Sequence, residues 1–180
     1  MRFTSLFVLA SLAVSSFAST VADVQADIAD ISSKTTALDN SINAFANPGG
    51  TLTQALTIHN NAVALGSSLD HGTTDANAVA PLPISEADGR SILTNLEALE
   101  PTIDDALDGI IARKDAFVAL PLGGIPALVK QDLTNLNAST SAFEAALIVN
   151  APADLVAEAT ALKSRIDAKF ASAIAAYAAF

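Results

Sequence analysis

Beyond about residue 20 the chain repeats one pattern: an apolar residue every three or four positions, with polar residues between. Val21, Val24, Ile28, Ile31, Thr35, Leu38, Ile42 and Phe45 form the first such stripe. That is the period of a helix with one buried face, and it lacks the alternation of a strand. Asn47-Pro48-Gly49-Gly50 stops it. Thr51 to Gln54 has the form of a capping box, which opens a second helix. Its apolar set is broad, with Leu52, Leu56 and Val63 on one edge and Ile58, Ala62, Leu65 and Leu69 on the other. A stripe that wide predicts contact with more than one neighbour. His71-Gly72 reads as the end of this helix, and the stretch to Pro83 as a loop with room for one turn around Ala76 to Val79.

Ser85 to Asp88 signals a third start, followed by Ile92, Leu96, Leu99, Ile103, Leu107, Ile110 and Phe117 in phase. Pro101 falls inside this run; because the stripe keeps its phase, a kink is expected there and not a stop. Pro126 suits the first turn of a fourth helix carrying Val129, Leu133, Leu136, Thr140, Phe143 and Leu147. Asn150-Ala151-Pro152 separates a last helix with Leu155, Ala159, Leu162, Ile166, Phe170, Ala173 and Tyr177. Asp154 and Glu158 come early in it and Lys163, Arg165 and Lys169 late, as the helix dipole favours. The expected fold is all-α: an elongated antiparallel bundle of about five helices, forming a single domain over residues 19–180.

The first eighteen residues differ. Arg2, a short apolar run from Leu6 to Val14, and small residues at Ser16 and Ala18 have the three parts of a secretory signal, with cleavage expected after Ala18. The apolar run is shorter than the ~20 residues of a membrane span. An extracellular protein with no transmembrane anchor is therefore expected.

Composition narrows the function. The chain has no Cys, which excludes disulfide scaffolds, thiol catalysis and zinc fingers, so a non-covalent core must hold the fold. A net charge of −10 argues against nucleic-acid binding and favours a soluble monomer. With only His59 and His71, no three-His zinc site can form, and no nucleophile elbow, P-loop or dinucleotide fingerprint occurs. No cofactor and no catalytic residue is expected. Glu97, Glu100, Asp104 and Asp108 make an acidic stripe that reads as a solvated flank, cation binding being the alternative. Thr35 and Thr140 interrupt apolar stripes: their hydroxyls either face a cavity or bond back to the carbonyl one turn earlier. His59 stands near the Leu56/Val63 edge, at a polar ligand group or as an ordinary surface or interior His. Asn137-Ala138-Ser139 is a glycosylation sequon, expected near the surface.

Asp23-Val24-Gln25-Ala26-Asp27-Ile28, the run Leu38 to Phe45, Gly49-Gly50 and Ala55-Leu56-Thr57-Ile58-His59 together resemble the fungal hydrophobic surface-binding protein A family, which includes cell-wall galactomannoproteins. The resemblance covers essentially the whole chain after the signal. It implies a secreted or wall-associated helical protein without enzymatic activity, which adsorbs to hydrophobic solids, recruits hydrolases to them, or encloses a fatty acid between helices. The Ser/Thr-rich tail of some wall-bound relatives is missing, so a freely secreted form is expected. On this reading Leu56, Leu96, Ile103, Phe117, Leu133, Phe143, Ile166 and Phe170 are the candidates for lining a lipid pocket, with Thr35, His59 and Thr140 as polar candidates. The alternative is a structural or antigenic wall mannoprotein that interacts with polysaccharide or a secreted enzyme.

Overall fold

The computed structural model describes residues 18–180, so the expected signal peptide lies outside the described residues but for Ala18. Five long helices form: α1 (Val21–Asn43), α2 (Leu52–Ala78), α3 (Glu86–Ala112), α5 (Ile125–Asn150) and α6 (Val156–Ala176), with a short α4 (Lys114–Val118) between α3 and α5. The all-α reading holds, and so, nearly, does the helix count. Local chemistry sets the starts. Thr20 and Thr51 both make full capping boxes, with Asp23 and Gln54, and Ser85 accepts from the Asp88 amide. Pro126 sits in the first turn of α5. Pro101 lies inside α3, which runs on past it to Ala112.

Two boundaries differ from expectation. The first is at α2, which does not end at Gly72 but continues to Ala78. Gly72 is a packing residue: a Cβ there would lie 2.9 Å from the Phe143 ring. The second is at Arg113, where the third run breaks. No Pro or Gly marks that spot. Arg113 donates to the carbonyls of Phe45 and Asn43, and the turn brings Phe117 onto Phe45, with ring centroids 4.2 Å apart and planes within 12°.

Each long helix packs mainly against two others: α1 on α2 and α3, α2 on α5, α5 on α6, and α6 on α3. The order α1–α2–α5–α6–α3 therefore closes into a ring. Polar ties give the directions. His59–Asp132, Asp70–Ser139 and Ala76–Asn150 rise together, so α2 and α5 run parallel. Arg90–Glu158, Glu100–Arg165 and Asp108–Lys169 show the same for α3 and α6. Gln54 reaches the Ala44 carbonyl across the α1–α2 turn, and Lys163 meets Glu144 while Lys130 meets the Ala178 carbonyl; those two seams are antiparallel. Consecutive long helices alternate in direction, as expected of the bundle. Ring neighbours that are distant in sequence are parallel. At 27 residues and about 1.5 Å per residue, the longest helices reach ~40 Å. The buried stripe of α1 is Val24, Ile28, Ile31, Thr35, Leu38 and Ile42, as its spacing predicts.

Candidate functional site: an apolar cavity inside the helix ring

A ring of helices leaves space at its axis unless large side chains fill it. Here the inward positions are mostly Leu, Ile, Val and Ala, and a cavity of about 110 Å³ remains. All five long helices line it, from Ile31 and Ile42 of α1 to Phe170 of α6. A second void of about 40 Å³ lies toward the α2–α3 loop and shares Leu93, Leu96, Leu147 and Ala159 with the first. The two are thus neighbours along one axis. For scale, an apolar void of ~150 Å³ stays dry and admits a benzene-sized guest.

Six of the eight expected apolar residues line the main cavity: Leu96, Ile103, Leu133, Phe143, Ile166 and Phe170. The other two do not. Leu56 is 43% exposed, on the outer edge of α2, because only the Ile58/Ala62/Leu65/Leu69 edge faces the ring axis. Phe117 is buried against Phe45 on α4, apart from the cavity lining.

The polar candidates divide as well. Thr35 lines the cavity, but its hydroxyl donates to the Ile31 carbonyl at 2.8 Å, the back-bond weighed as the alternative. Thr140 lines the cavity, and among the described residues its hydroxyl has no side-chain hydrogen bond. His59 does not reach the lining. Its Nδ1–H donates to Asp132, 2.9 Å from Oδ2, and Asp132 is the member of that pair facing inward. Burial pushes the Asp132 carboxyl above its ordinary value, and His59 partly offsets this. Asn137 lies within α5 and is half-buried; its Oδ1 is buried without a partner among the described residues.

Besides Asp132, two polar lining residues were not among the candidates. Glu144 follows Phe143 and lies one turn beyond Thr140; it is buried, and desolvation raises its carboxyl to about 7 despite the nearby Lys163 ammonium. Lys163 of α6 has its Nζ 3.5 Å from Glu144 and 2.8 Å from Asp167, and it also donates to the Ser141 hydroxyl. Among the lining residues Lys163 is the sole cation.

The acidic stripe of α3 is not simply solvated. Glu100 holds Arg165 at 2.6 and 2.8 Å, and Asp108 holds Lys169 at 3.0 Å, with Asp104 at 3.8 Å. The bidentate Arg165 pair lowers the Glu100 carboxyl. His71 is not at a helix end either: it sits inside α2 with Nδ1 2.9 Å from Asp27 Oδ1 on α1. Asp27, His71 and Asp75 are the group among the described residues whose ligand atoms approach closely enough for a metal ion. The trio is engaged within the protein, His71 with Asp27 and the Ser19 hydroxyl with Asp75, so that it ties α1 to α2. No helix among the described residues is long and apolar enough to cross a membrane.

Known proteins resemble this chain in sequence and in fold. Cell wall mannoprotein 1 of Aspergillus flavus is 29% identical over 190 residues, a match covering 98% of this chain and 63% of that protein. The chain thus spans less than two thirds of that relative's length. Among solved structures, AFMP4P in complex with palmitic acid is 32% identical and superposes with a TM-score of 0.79, covering 87% of this chain and 99% of that one. Ligand binding domain 2 of the Penicillium marneffei MP1 protein, complexed with multiple arachidonic acids, is 18% identical with a TM-score of 0.78 over 89% of this chain and 97% of that one, which shows a shared fold. The sequence model of hydrophobic surface binding protein A matches residues 21–148, and the chain belongs to that family.

Proposed function

We propose that this protein is an extracellular, non-enzymatic binder of long-chain fatty acids, which it encloses within the five-helix ring. The observation that carries the reading is the axial cavity, lined by apolar side chains from all five long helices. Each CH₂ moved from water into such a lining contributes about 0.8 kcal/mol, so an acyl chain binds tightly with few polar contacts. The palmitic acid complex of AFMP4P, a relative 32% identical, supports the same ligand class, and the mannoprotein relative supports a place outside the cell or in its wall. As it stands, the cavity suits a small guest. Seating a long chain requires the helices to part slightly and widen the cavity along its axis.

The test is uptake. The secreted protein is extracted with organic solvent and the extract weighed by mass spectrometry; the delipidated protein is then titrated with cis-parinaric acid. Co-purifying fatty acid or saturable fluorescence enhancement is expected. A clean extract together with no enhancement refutes the reading.

One observation favours a second, compatible role. Lys114 bonds the Ala176 carbonyl and Lys130 the Phe180 carbonyl, so α4, the start of α5 and the C-terminal residues meet at one end of the ring. Val118, Leu122 and Phe180 are all exposed there. Such a cluster is suited to contact with an apolar solid. Depletion of the protein by polystyrene beads, abolished by Val118→Ser with Leu122→Ser, is the expected result; unchanged depletion removes this role.

A further inference from the structure

The cavity wall is almost wholly apolar, and its few polar groups are not scattered. Thr140, Glu144 and Lys163 cluster where α5 meets α6. The other inward carboxylate, Asp132, lies 12 residues before Glu144 on α5, or about 18 Å along the helix. One end of the lining therefore offers a cation and a free hydroxyl, and the other an anion already held by His59.

From this we infer that Lys163, with Thr140, forms the anchoring subsite for the carboxylate of an enclosed fatty acid, whose tail then runs along α5 toward Val129. The proposal rests on the fatty-acid reading of the cavity and adds to it a head-group position and a fixed direction. Lys163 stands between two carboxylates. Asp167 is on the outside, with 41% of its side chain exposed, and Glu144 is on the inside, with 10%. An incoming carboxylate takes the place of Glu144 as the inner partner. Thr140, one turn from Glu144 on the same face of α5, supplies the second donor. The reverse orientation would bring the ligand's charge beside Asp132, at a cost in a dry, low-dielectric space.

The length fits. From Glu144 to Val129 is 15 residues, about 22 Å of helix. An extended chain advances about 1.2 Å per bond, as a polypeptide of three bonds per residue shows, so this span takes about 18 bonds, a chain of roughly nineteen carbons.

Glu144 makes the subsite sensitive to pH. Its burial favours the neutral acid, and when protonated it leaves the Lys163 ammonium to the ligand and can donate to it. The charged groups acting on Glu144 are Lys163 and Asp167, both on α6; from α2, His59 is taken by Asp132 and Asp70 receives the Ser139 hydroxyl. Carboxylate affinity should therefore rise as pH falls from about 8 to about 6, while the ligand itself stays ionised.

Pyrene-dodecanoic acid and its methyl ester are titrated against the delipidated full-length protein, the Lys163→Met variant and the Glu144→Gln variant. Lys163→Met should weaken binding of the acid at least about tenfold, the worth of one hydrogen bond to a charged group, and leave the ester unchanged. Glu144→Gln should flatten the pH dependence of acid binding. An equal loss for acid and ester, or no loss for either, overturns the anchor while the cavity reading survives. So does a Glu144→Gln variant with the wild-type pH profile. Failure of the wild type to bind either compound overturns both.

Discussion

Glu144→Gln offers a direct measure of what the buried carboxyl does to stability. In the folded protein desolvation raises this group from 4.5 to about 7. Between those values the folded chain keeps a proton that the unfolded chain has lost. Folded protein then binds more protons than unfolded, so stability falls as pH rises through this window. Above about 7 the carboxylate is ionised in both states, and the full cost of the buried charge remains. A raise of this size corresponds to about 3 kcal/mol. Gln keeps the shape and does not titrate. The stability of Glu144→Gln relative to wild type should therefore improve by about 3 kcal/mol between pH 4 and pH 8. Urea unfolding followed by circular dichroism reads this directly: at slopes of about 1–3 kcal/mol per molar, the midpoints should diverge by ~1–3 M across the series. Parallel midpoints from pH 4 to pH 8, or wild type gaining on the variant at high pH, would refute the view that burial outweighs the Lys163 pairing.

Phe143→Ala should destabilise by about 3–5 kcal/mol, since its ring is 2% exposed, and should widen the cavity enough to tighten binding of a bulky neutral probe; denaturation and probe titration check the two halves. Gly72→Ala should lower the melting temperature although Ala is the better helix former, because the new Cβ meets the Phe143 ring at 2.9 Å; pairing it with Phe143→Leu should restore part of the loss. Asn150→Ala should cost about 1–3 kcal/mol in urea unfolding, because buried Asn150 donates to the Ala76 carbonyl near the end of α2, where the helix offers no donor of its own.

The helices were legible because they are written locally. Val24 to Ile42 declares its face by spacing alone, and Thr51 and Ser85 declare their helix starts by capping chemistry. What stayed hidden depends on partners distant in the chain. Gly72 reads as a stop until Phe143, 71 residues later, is seen to need the space. Lys163, Arg165 and Lys169 read as dipole complements, yet they reach sideways to Glu144, Glu100 and Asp108. The break at Arg113 has no local cause; its side chain bonds carbonyls of the α1 end. Glu144 had a signal that could have found it: it stands four positions from Thr140, on the inward face. A carboxyl there is costly unless the interior has use for it. Leu56 failed for the opposite reason, since an apolar stripe wider than the ring's inward arc leaves one edge in water.

The closed order of the helices has one more consequence. In a β-barrel the girth is set by strand number and shear, and widening it means breaking hydrogen bonds between strands. Here every helix satisfies its own backbone, so neighbours can slide apart by a fraction of an ångström each without rupturing a single main-chain bond. Five such seams add up. The same container can then tighten around a slim cargo or swell for a stout one, trading only side-chain contacts, and its capacity is a property of its joints more than of the empty space seen at rest.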